Sequence, residues 1–337
     1  MTPRALLSLL FNGPRALDVV ETAYELGLLH AMDEGTPDLA ELAERFGLQP
    51  SRLYKFLDCL ESLGLVRRDQ PGDDIFTARY GLAEGVREAA EAVLGPCSQE
   101  RDREKFDWRA LHGRLPQVLR GEHGMPPESF EWPLRTDEQI EAFERSMTAG
   151  LPPIVESFRH HATRLFAERR RVLDVGGGDG TLASALLEQH PHIQVDVYNL
   201  PATKRLVDAV RDRQGLGERL GFVGGDFLRE PLPCGYDDLL FVRVLHDWPA
   251  ETARALLDKA HHALGAGGRV VICEELRTPE RLAAQFFWTY FLIGVDSCVS
   301  RLREADVYRR MLCETGFDGV EVLDGGPFEL IVAQRGR

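Results

Sequence analysis

Short apolar runs, separated by longer stretches with helical spacing, fill the second half of the chain. Five of these runs are predicted to be buried strands: residues 172–175, 195–198, 220–223, 238–242 and 269–273. Because strands and helices alternate, the sequence favours a parallel, doubly wound α/β sheet. Two later runs, residues 320–323 and 328–333, are predicted to pair as an antiparallel edge.

The first hundred residues have a different pattern, in which helical spacing dominates. Four stretches have apolar positions spaced for helices that pack on one face: residues 5–11, 17–32, 38–47 and 50–64. Residues 65–68 and 75–77 alternate in polarity around the polar turn 69–74, which predicts a β-hairpin. Two helices followed by such a hairpin are typical of a winged helix.

The winged helix raises the alternative that the protein is a transcription regulator. Residues 1–100 contain nine Lys and Arg against seventeen Asp and Glu. A helix that reads DNA normally brings several basic residues to the phosphates, whereas the second helix offers Arg52 and Lys55 followed by Asp58 and Glu61. We therefore expect a dimerisation module rather than a DNA-binding one, and a homodimer.

Composition narrows the choice of partners further. The chain has 337 residues, enough for two domains, and its formal net charge of −14 argues against nucleic acid or an anionic membrane as partner. No apolar run approaches the length of a membrane span. The six cysteines are scattered, without metal-ligand spacing, so we expect reduced thiols in the cytoplasm and no metal site.

The strand predicted at residues 172–175 runs into a glycine-rich loop and then a helix that begins at Thr181. Glycines let backbone N–H groups approach a ligand closely. A dinucleotide fingerprint, Gly-x-Gly-x-x-Gly, would need its third glycine at Thr181. The chain instead has glycines at alternate positions from Gly176 to Gly180, with Asp174 two residues before them. This pattern resembles motif I of the class I S-adenosylmethionine-dependent methyltransferases, in which the acid supports the ammonium end of the cofactor.

Four further stretches follow predicted strands, at the carboxyl ends where open α/β sheets bind ligands. They are Tyr198-Asn-Leu-Pro201, Gly224-Gly-Asp-Phe227, Val244-Leu-His-Asp-Trp-Pro249 and Cys273-Glu-Glu275. With motif I, their order resembles the small-molecule O-methyltransferases of the plant caffeate type and of bacterial polyketide or antibiotic tailoring. The resemblance covers nearly the whole chain. It implies S-adenosylmethionine as the cofactor and a small aromatic acceptor.

The resemblance also implies how the chain is divided. Residues 1–100 are expected to form the winged-helix dimerisation domain, and residues 101–160 a helical linker that roofs the pocket. Residues 161–337 are expected to form the Rossmann-like, doubly wound catalytic domain that binds S-adenosylmethionine.

A set of site residues follows from the same resemblance. His246 is expected to act as the general base, held by the acid Glu274. The cofactor is expected to contact Asp174, Gly176, Gly177, Gly178, Gly180, Asn199, Leu200, Asp226, Phe227 and Trp248. The acceptor is expected to contact Phe143, Met147, Tyr290 and Ile293, although the aromatics around Tyr290 suit a core or dimer helix equally well.

Two departures from the family pattern keep alternatives open. Asn199 stands where the family usually has an aspartate that bridges the ribose hydroxyls, and an amide accepts a weaker hydrogen bond than a carboxylate. Leu302 stands where the family commonly has a second acid beside the histidine. A phenolic hydroxyl is the expected acceptor. Methylation of a ring carbon ortho to that hydroxyl remains the alternative.

Overall fold

The computed structural model describes residues 2–69, 78–96, 117, 120, 134, 136–168, 170–277 and 302–336. The chain separates into two compact units, Met1–Asp102 and Arg103–Arg337. Among the described residues, no helix is both long and apolar enough to cross a bilayer.

The first unit consists of five helices and a short hairpin among its described residues. These elements are α1 (Pro3–Glu25), α2 (Leu28–Glu34), α3 (Leu39–Phe46), α4 (Pro50–Ser62), β1 (Val66–Arg68), β2 (Tyr80–Leu82) and α5 (Val86–Leu94). Helix α3 begins where the sequence predicts it, because Asp38 accepts from the Glu41 amide and the Glu41 carboxylate accepts from the Asp38 amide. It ends at Gly47, whose φ of 63° a residue with a Cβ adopts only with strain.

Two local predictions for this unit were wrong in detail. The stretch 17–32 is not one helix, since Gly27 adopts a φ of 78° and separates α1 from α2. The described partner of β1 is β2, with Val66 opposite Leu82 and Arg68 opposite Tyr80, which is further along the chain than the predicted partner. The predicted partner, residues 75–77, lies outside the described residues.

The second unit alternates strands and helices. Its strands are β3 (Arg171–Val175), β4 (Gln194–Asn199), β5 (Leu220–Gly224), β6 (Asp238–Val242), β7 (Arg269–Cys273), β8 (Phe317–Leu323) and β9 (Leu330–Arg335). Its described helices are α6 (Asp137–Ala149), α7 (Pro152–His160), α8 (Ala162–Phe166), α9 (Thr181–Gln189), α10 (Lys204–Arg213), α11 (Ala250–Ala263) and α12 (Ala305–Glu314). All five predicted parallel strands are present, each within two residues of its expected bounds.

The strands form one seven-stranded sheet in the order β5-β4-β3-β6-β7-β9-β8. The first five are parallel, and β9 pairs antiparallel with both β7 and β8. The antiparallel pair predicted from residues 320–333 is therefore confirmed. The strand order reverses beside β3, and in such sheets the crevice at the carboxyl ends of the reversing strands is where ligands bind.

Both faces of the sheet are covered, which explains why its strands are almost continuously apolar. Leu239 and Phe241 of β6 pack into one buried cluster, whereas Leu240 between them packs into the other. Asp238, fully buried at the start of β6, accepts from the Arg269 guanidinium through both oxygens at 2.7 and 2.8 Å. The sheet that carries the loops is thus packed on both faces, and the ion pair between Asp238 and Arg269 links β6 to β7.

Candidate active site

The glycine loop after β3 lines a cavity of about 610 Å³ at the carboxyl ends of the parallel strands. Gly176 and Gly178 have φ values of 74° and 57°, in the left-handed region. A Cβ added to Gly177 would lie 2.5 Å from Asp174 Oδ2, and one added to Gly178 would lie 2.6 Å from Glu144 Oε2. The loop therefore requires glycine both for its backbone conformation and for its close approach to two acids.

Asp174 is the buried acid beneath this loop. It is 1% exposed, and neither of its carboxylate oxygens has a hydrogen-bond partner among the described residues. Burial raises the pKa of Asp174 to about 7, because the charged form has lost its hydration. A buried carboxyl that lines a cavity without a partner suits a cationic ligand group. The ammonium group of S-adenosylmethionine fits that requirement.

The loops after β4 and β5 form the side of the cavity expected for the adenosine. Asn199 Oδ1 accepts from the Leu200 amide at 2.8 Å, and its Nδ2 donates to the Gly178 carbonyl at 3.5 Å. Asp226 Oδ1 accepts from the Leu228 amide at 2.9 Å, which shapes the turn that carries Phe227. The Phe227 ring meets the Trp248 ring edge-on, with centroids 6.1 Å apart. Two flat apolar rings beside polar groups suit a purine.

Lys259 of α11 holds the second of these loops in place. Its ammonium donates to the carbonyls of Phe227, Leu228 and Glu230 at 2.6, 3.1 and 2.8 Å. Three donors on one side chain thus satisfy three carbonyls of an irregular segment, which keeps the aromatic wall at a defined position.

His246 lies in a single 3₁₀ turn, Leu245–Asp247, that follows β6. Its side chain is buried, and its Nδ1 contacts Glu274 Oε2 at the end of β7. The other oxygen of Glu274 accepts from the amides of Val244 and Leu245 at 3.0 and 2.7 Å. One carboxylate therefore orients the ring and fixes the turn that carries it. Val244, Asp247 and Trp248 of the same segment line the cavity, whereas His246 and Glu274 are not among its lining residues.

Opposing effects act on the His246 imidazole. Burial alone would lower its pKa, but the neighbouring carboxylates of Glu274 and Asp247 outweigh burial and raise the pKa well above its usual value. Asp247 Oδ1 lies 3.3 Å from the Nε2 atom. The imidazolium is thus the stable form near neutral pH, and the neutral ring becomes more populated as the pH rises towards the raised pKa.

Arg303 also stabilises the turn that carries His246. It is 5% exposed and donates to the carbonyls of Leu245 and Trp248 at 2.9 and 2.5 Å. Leu302, which stands where the family commonly has a second acid, is buried and apolar, so that position supplies no carboxylate to the histidine. Asp247 is the second acid beside His246 in the described residues.

Helix α6 contributes Phe143 and Met147 to the cavity lining, together with Glu144 and Thr148. Thr148 donates to Asp179 Oδ2 at 3.1 Å, and the Arg243 guanidinium donates to the Met147 carbonyl. Arg243 itself has a φ of 55°, which is uncommon for a residue with a Cβ and marks a strained turn at the end of β6.

The sequence-derived site set divides into three groups in the structure. Eleven of its members line the cavity: Asp174, Gly176, Gly177, Gly178, Asn199, Leu200, Asp226, Phe227, Trp248, Phe143 and Met147. Gly180, His246 and Glu274 lie outside the lining, and Gly180 begins α9 against Val207 and Val197. Tyr290 and Ile293 lie outside the described residues. No group of three or more possible metal ligands occurs in the described part of the chain.

Sequence analysis missed several residues of the site, among them Glu144, Thr148, Arg243 and Arg303. A polar residue on an amphipathic helix is normally read as solvent-facing, so nothing marked Glu144 or Thr148 as cavity residues. For Arg243 a signal was available, since it directly precedes the Val-Leu-His-Asp-Trp-Pro stretch at a strand end.

Comparison with known proteins identifies the family of the chain. The family profile described as the O-methyltransferase domain matches residues 109–318, and that of the IclR helix-turn-helix domain matches residues 15–70. The demethylspheroidene O-methyltransferase of Rhodobacter capsulatus is 33% identical over 305 residues, covering 88% of this chain and 72% of that protein. The L-tyrosine C(3)-methyltransferase of Streptomyces lavendulae is 36% identical over 110 residues, covering 33% of this chain and 30% of that protein.

A solved structure extends the similarity to the whole fold. The S-adenosylmethionine-dependent methyltransferase SibL, in its apo form, superposes with a TM-score of 0.76 at 25% identity and covers 98% of this chain and 99% of its own. The winged-helix region and the α/β fold agree with the sequence-based expectation. The glycine loop, the buried Asp174 and the aromatic wall fit S-adenosylmethionine as the cofactor. The chain belongs to the O-methyltransferase family and is an S-adenosylmethionine-dependent methyltransferase.

Proposed function

We propose that the protein methylates a phenolic hydroxyl of a small aromatic molecule and that His246 is the general base. The observation that supports this proposal is the buried His246–Glu274 pair on the turn that borders the cavity. When bound, S-adenosylmethionine supplies an activated methyl group on a sulfonium sulfur, so the protein mainly has to position the acceptor and remove its proton.

The proton chemistry follows from the two ring nitrogens of His246. In the neutral ring Glu274 accepts from Nδ1–H, and Nε2, which lies 3.3 Å from Asp247 Oδ1, is then the basic atom. A phenol has an ordinary pKa of about 10 and is protonated near neutral pH. Because the carboxylates raise the pKa of His246, the imidazole is better matched to a phenol than a free histidine is.

The acceptor would occupy the side of the cavity formed by α6. Phe143 and Met147 present an apolar ring and a flexible thioether there, which suits a flat aromatic molecule. Leu151 extends the same apolar wall. The side chains of Phe143, Met147 and Leu151 carry no charge that would select one phenol over another.

Carbon methylation is a second candidate, favoured by one specific observation. Leu302 leaves the histidine without the acid that the family commonly places there, so the acceptor side of the site differs from the usual pattern. A phenolate is also nucleophilic at its ortho carbon, and His246 could remove the same hydroxyl proton. The similarity to a tyrosine C(3)-methyltransferase also supports methylation at carbon.

The decisive experiment identifies the atom that receives the methyl group. We expect that incubation with S-adenosylmethionine carrying a ¹³C-methyl group and a panel of phenols will give a labelled product. A methoxy carbon resonates far downfield of an aryl methyl carbon, so one NMR spectrum separates the two candidates. An aryl methyl signal would overturn the oxygen proposal, and failure to label any phenol would contradict both.

We also propose that the protein works in the cytoplasm as a homodimer built largely from residues 1–100. Helix α1 leaves four large apolar side chains exposed on one face: Leu7, Leu10, Phe11 and Leu17, with exposures of 67%, 56%, 81% and 45%. Such a face on a 23-residue helix suits a second copy of the same chain. The acidic charge of this region does not suit DNA. Cys59, Cys234, Cys273 and Cys313 are free thiols, which suits a reducing compartment.

Light scattering checks the dimer proposal. A chain of 37.8 kDa is expected to give about twice that mass at micromolar concentration. Phe11→Asp should shift the mass towards the monomer, because it places a charge in the apolar face. Val93→Asp, at an exposed position of α5, is the matched control and should leave the mass unchanged. A wild-type mass of one chain would refute the proposal.

A further inference from the structure

Glu144 is a second buried carboxyl in the cofactor cavity, and it is contributed by α6. It is 7% exposed, and its Oε2 lies 2.6 Å from the position that a Cβ on Gly178 would occupy. The side chain therefore lies directly against the glycine loop. Nothing in the general-base chemistry of His246 uses it.

Charge is unevenly distributed around Glu144. Burial and the repulsion of Asp179 raise its pKa to about 7, while Arg243 and a hydrogen bond from the Asp179 backbone partly oppose this rise. Asp174, Asp226 and Asp247 line the same cavity, against the cations Arg243 and Arg229. The lining thus carries more acids than bases, which favours a positively charged occupant.

The position of Glu144 along the loop indicates which part of the cofactor it faces. Asp174 lies against Gly177 and suits the ammonium end, whereas Asn199 contacts Gly178 and suits the ribose. The sulfonium sulfur joins the ribose to the amino-acid chain, so it must lie between these two ends. Glu144 lies at Gly178, the ribose end of that stretch, and the sulfonium sulfur is separated from the ribose ring by a single carbon.

We propose that Glu144 determines the selectivity of this site for the cationic methyl donor over its neutral thioether product, by placing a carboxylate beside the sulfonium. Donor and product share their ribose, adenine and amino-acid groups, and they differ at the sulfur by one methyl group and one positive charge. A carboxylate at this point stabilises the donor and contributes little to the affinity for the product.

The proposal has a consequence for turnover. Once the methyl group has left, the ligand no longer carries the charge that Glu144 attracts, and the product binds less tightly than the donor did. Glu144 would therefore limit inhibition by S-adenosylhomocysteine. A carboxylate that instead accepted from the ribose hydroxyls would hold donor and product equally and would have no such effect.

Calorimetric titration of Glu144→Gln tests the proposal. The ligands are S-adenosylmethionine, S-adenosylhomocysteine and sinefungin, an analogue that carries an ammonium group in place of the sulfonium. We expect the Kd of the two cationic ligands to rise about tenfold, the change that one pKa unit of differential interaction represents. The Kd of S-adenosylhomocysteine should change by less than about twofold, since it lacks the charge at that position.

Glu138→Gln is the matched control, because Glu138 lies on the same helix with its side chain in solvent, and it should leave all three affinities unchanged. Retained binding of S-adenosylhomocysteine shows that Glu144→Gln is folded. Equal weakening of all three ligands would overturn the proposal in favour of a ribose or structural role. Unchanged binding of S-adenosylmethionine would overturn it as well.

Discussion

His246→Ala is expected to lower kcat by about 10²- to 10⁴-fold, the range that a positioned general base contributes. The substitution removes both ring nitrogens of the imidazole that the turn Leu245–Asp247 carries. It leaves Asp174 and the glycine loop in place, so the Kd of S-adenosylmethionine should stay within about twofold of the wild-type value. Single-turnover kinetics and calorimetry together separate these two effects.

Glu274→Gln is the companion variant. The glutamine oxygen can still accept from the amides of Val244 and Leu245, but its NH₂ group then faces His246 Nδ1. That contact favours the tautomer with a proton on Nε2, which cannot act as a base there. Activity should therefore fall. A fully active His246→Ala enzyme would exclude the histidine from both the oxygen and the carbon chemistry.

The direction of the pH dependence follows from the same pair. A raised pKa means that His246 carries its proton at neutral pH, so the wild-type rate should increase as the pH rises towards that pKa. Loss of the Glu274 charge lowers the pKa of His246. The residual activity of Glu274→Gln should therefore reach its plateau at a lower pH than the wild-type activity does.

Gly178→Val is expected to abolish binding of S-adenosylmethionine. The φ of 57° at this position disfavours any residue with a Cβ, and the added atom would lie 2.6 Å from Glu144 Oε2. The two further methyl groups of valine would project into space that the cofactor needs. Calorimetry should show no binding at ligand concentrations that saturate the wild-type protein.

Gly265→Val is the control for this second prediction. Gly265 has no positive φ, and a Cβ placed there would meet nothing within 4 Å. This variant should bind the cofactor normally and melt close to the wild-type temperature by circular dichroism. Wild-type affinity in Gly178→Val would contradict the assignment of the loop to the cofactor.

The parallel strands were predictable because each is buried on both faces, and so each appears as a nearly unbroken apolar run. The glycine loop was predictable for a related reason, since its backbone excludes other residues at Gly176 and Gly178. Both features are local, since burial of a strand requires apolar residues and the loop conformation requires glycine. The sheet and the glycine loop are therefore predictable from the sequence.

The residues that escaped prediction act through the tertiary structure. Glu144 is a charged residue on an amphipathic helix, and only the packing of α6 against the glycine loop turns it inward. Arg303 donates to the carbonyls of Leu245 and Trp248, which lie more than fifty residues before it in the sequence. No local pattern can indicate contacts at such a separation. The partner of β1 was predicted at the wrong position, because alternation in polarity does not specify which residues pair.

The order of the last three strands has a consequence for how the chain acquires its structure during synthesis. β9 lies between β7 and β8, although β8 precedes it in sequence. While the ribosome has delivered only the residues up to the end of β8, that strand has no partner, and β7 keeps an unpaired edge. The sheet is completed only after residue 335 has emerged from the ribosome. β9 then inserts between β7 and β8 and pairs with both of them. Until that moment the nascent chain exposes a strand edge of the kind that chaperones protect.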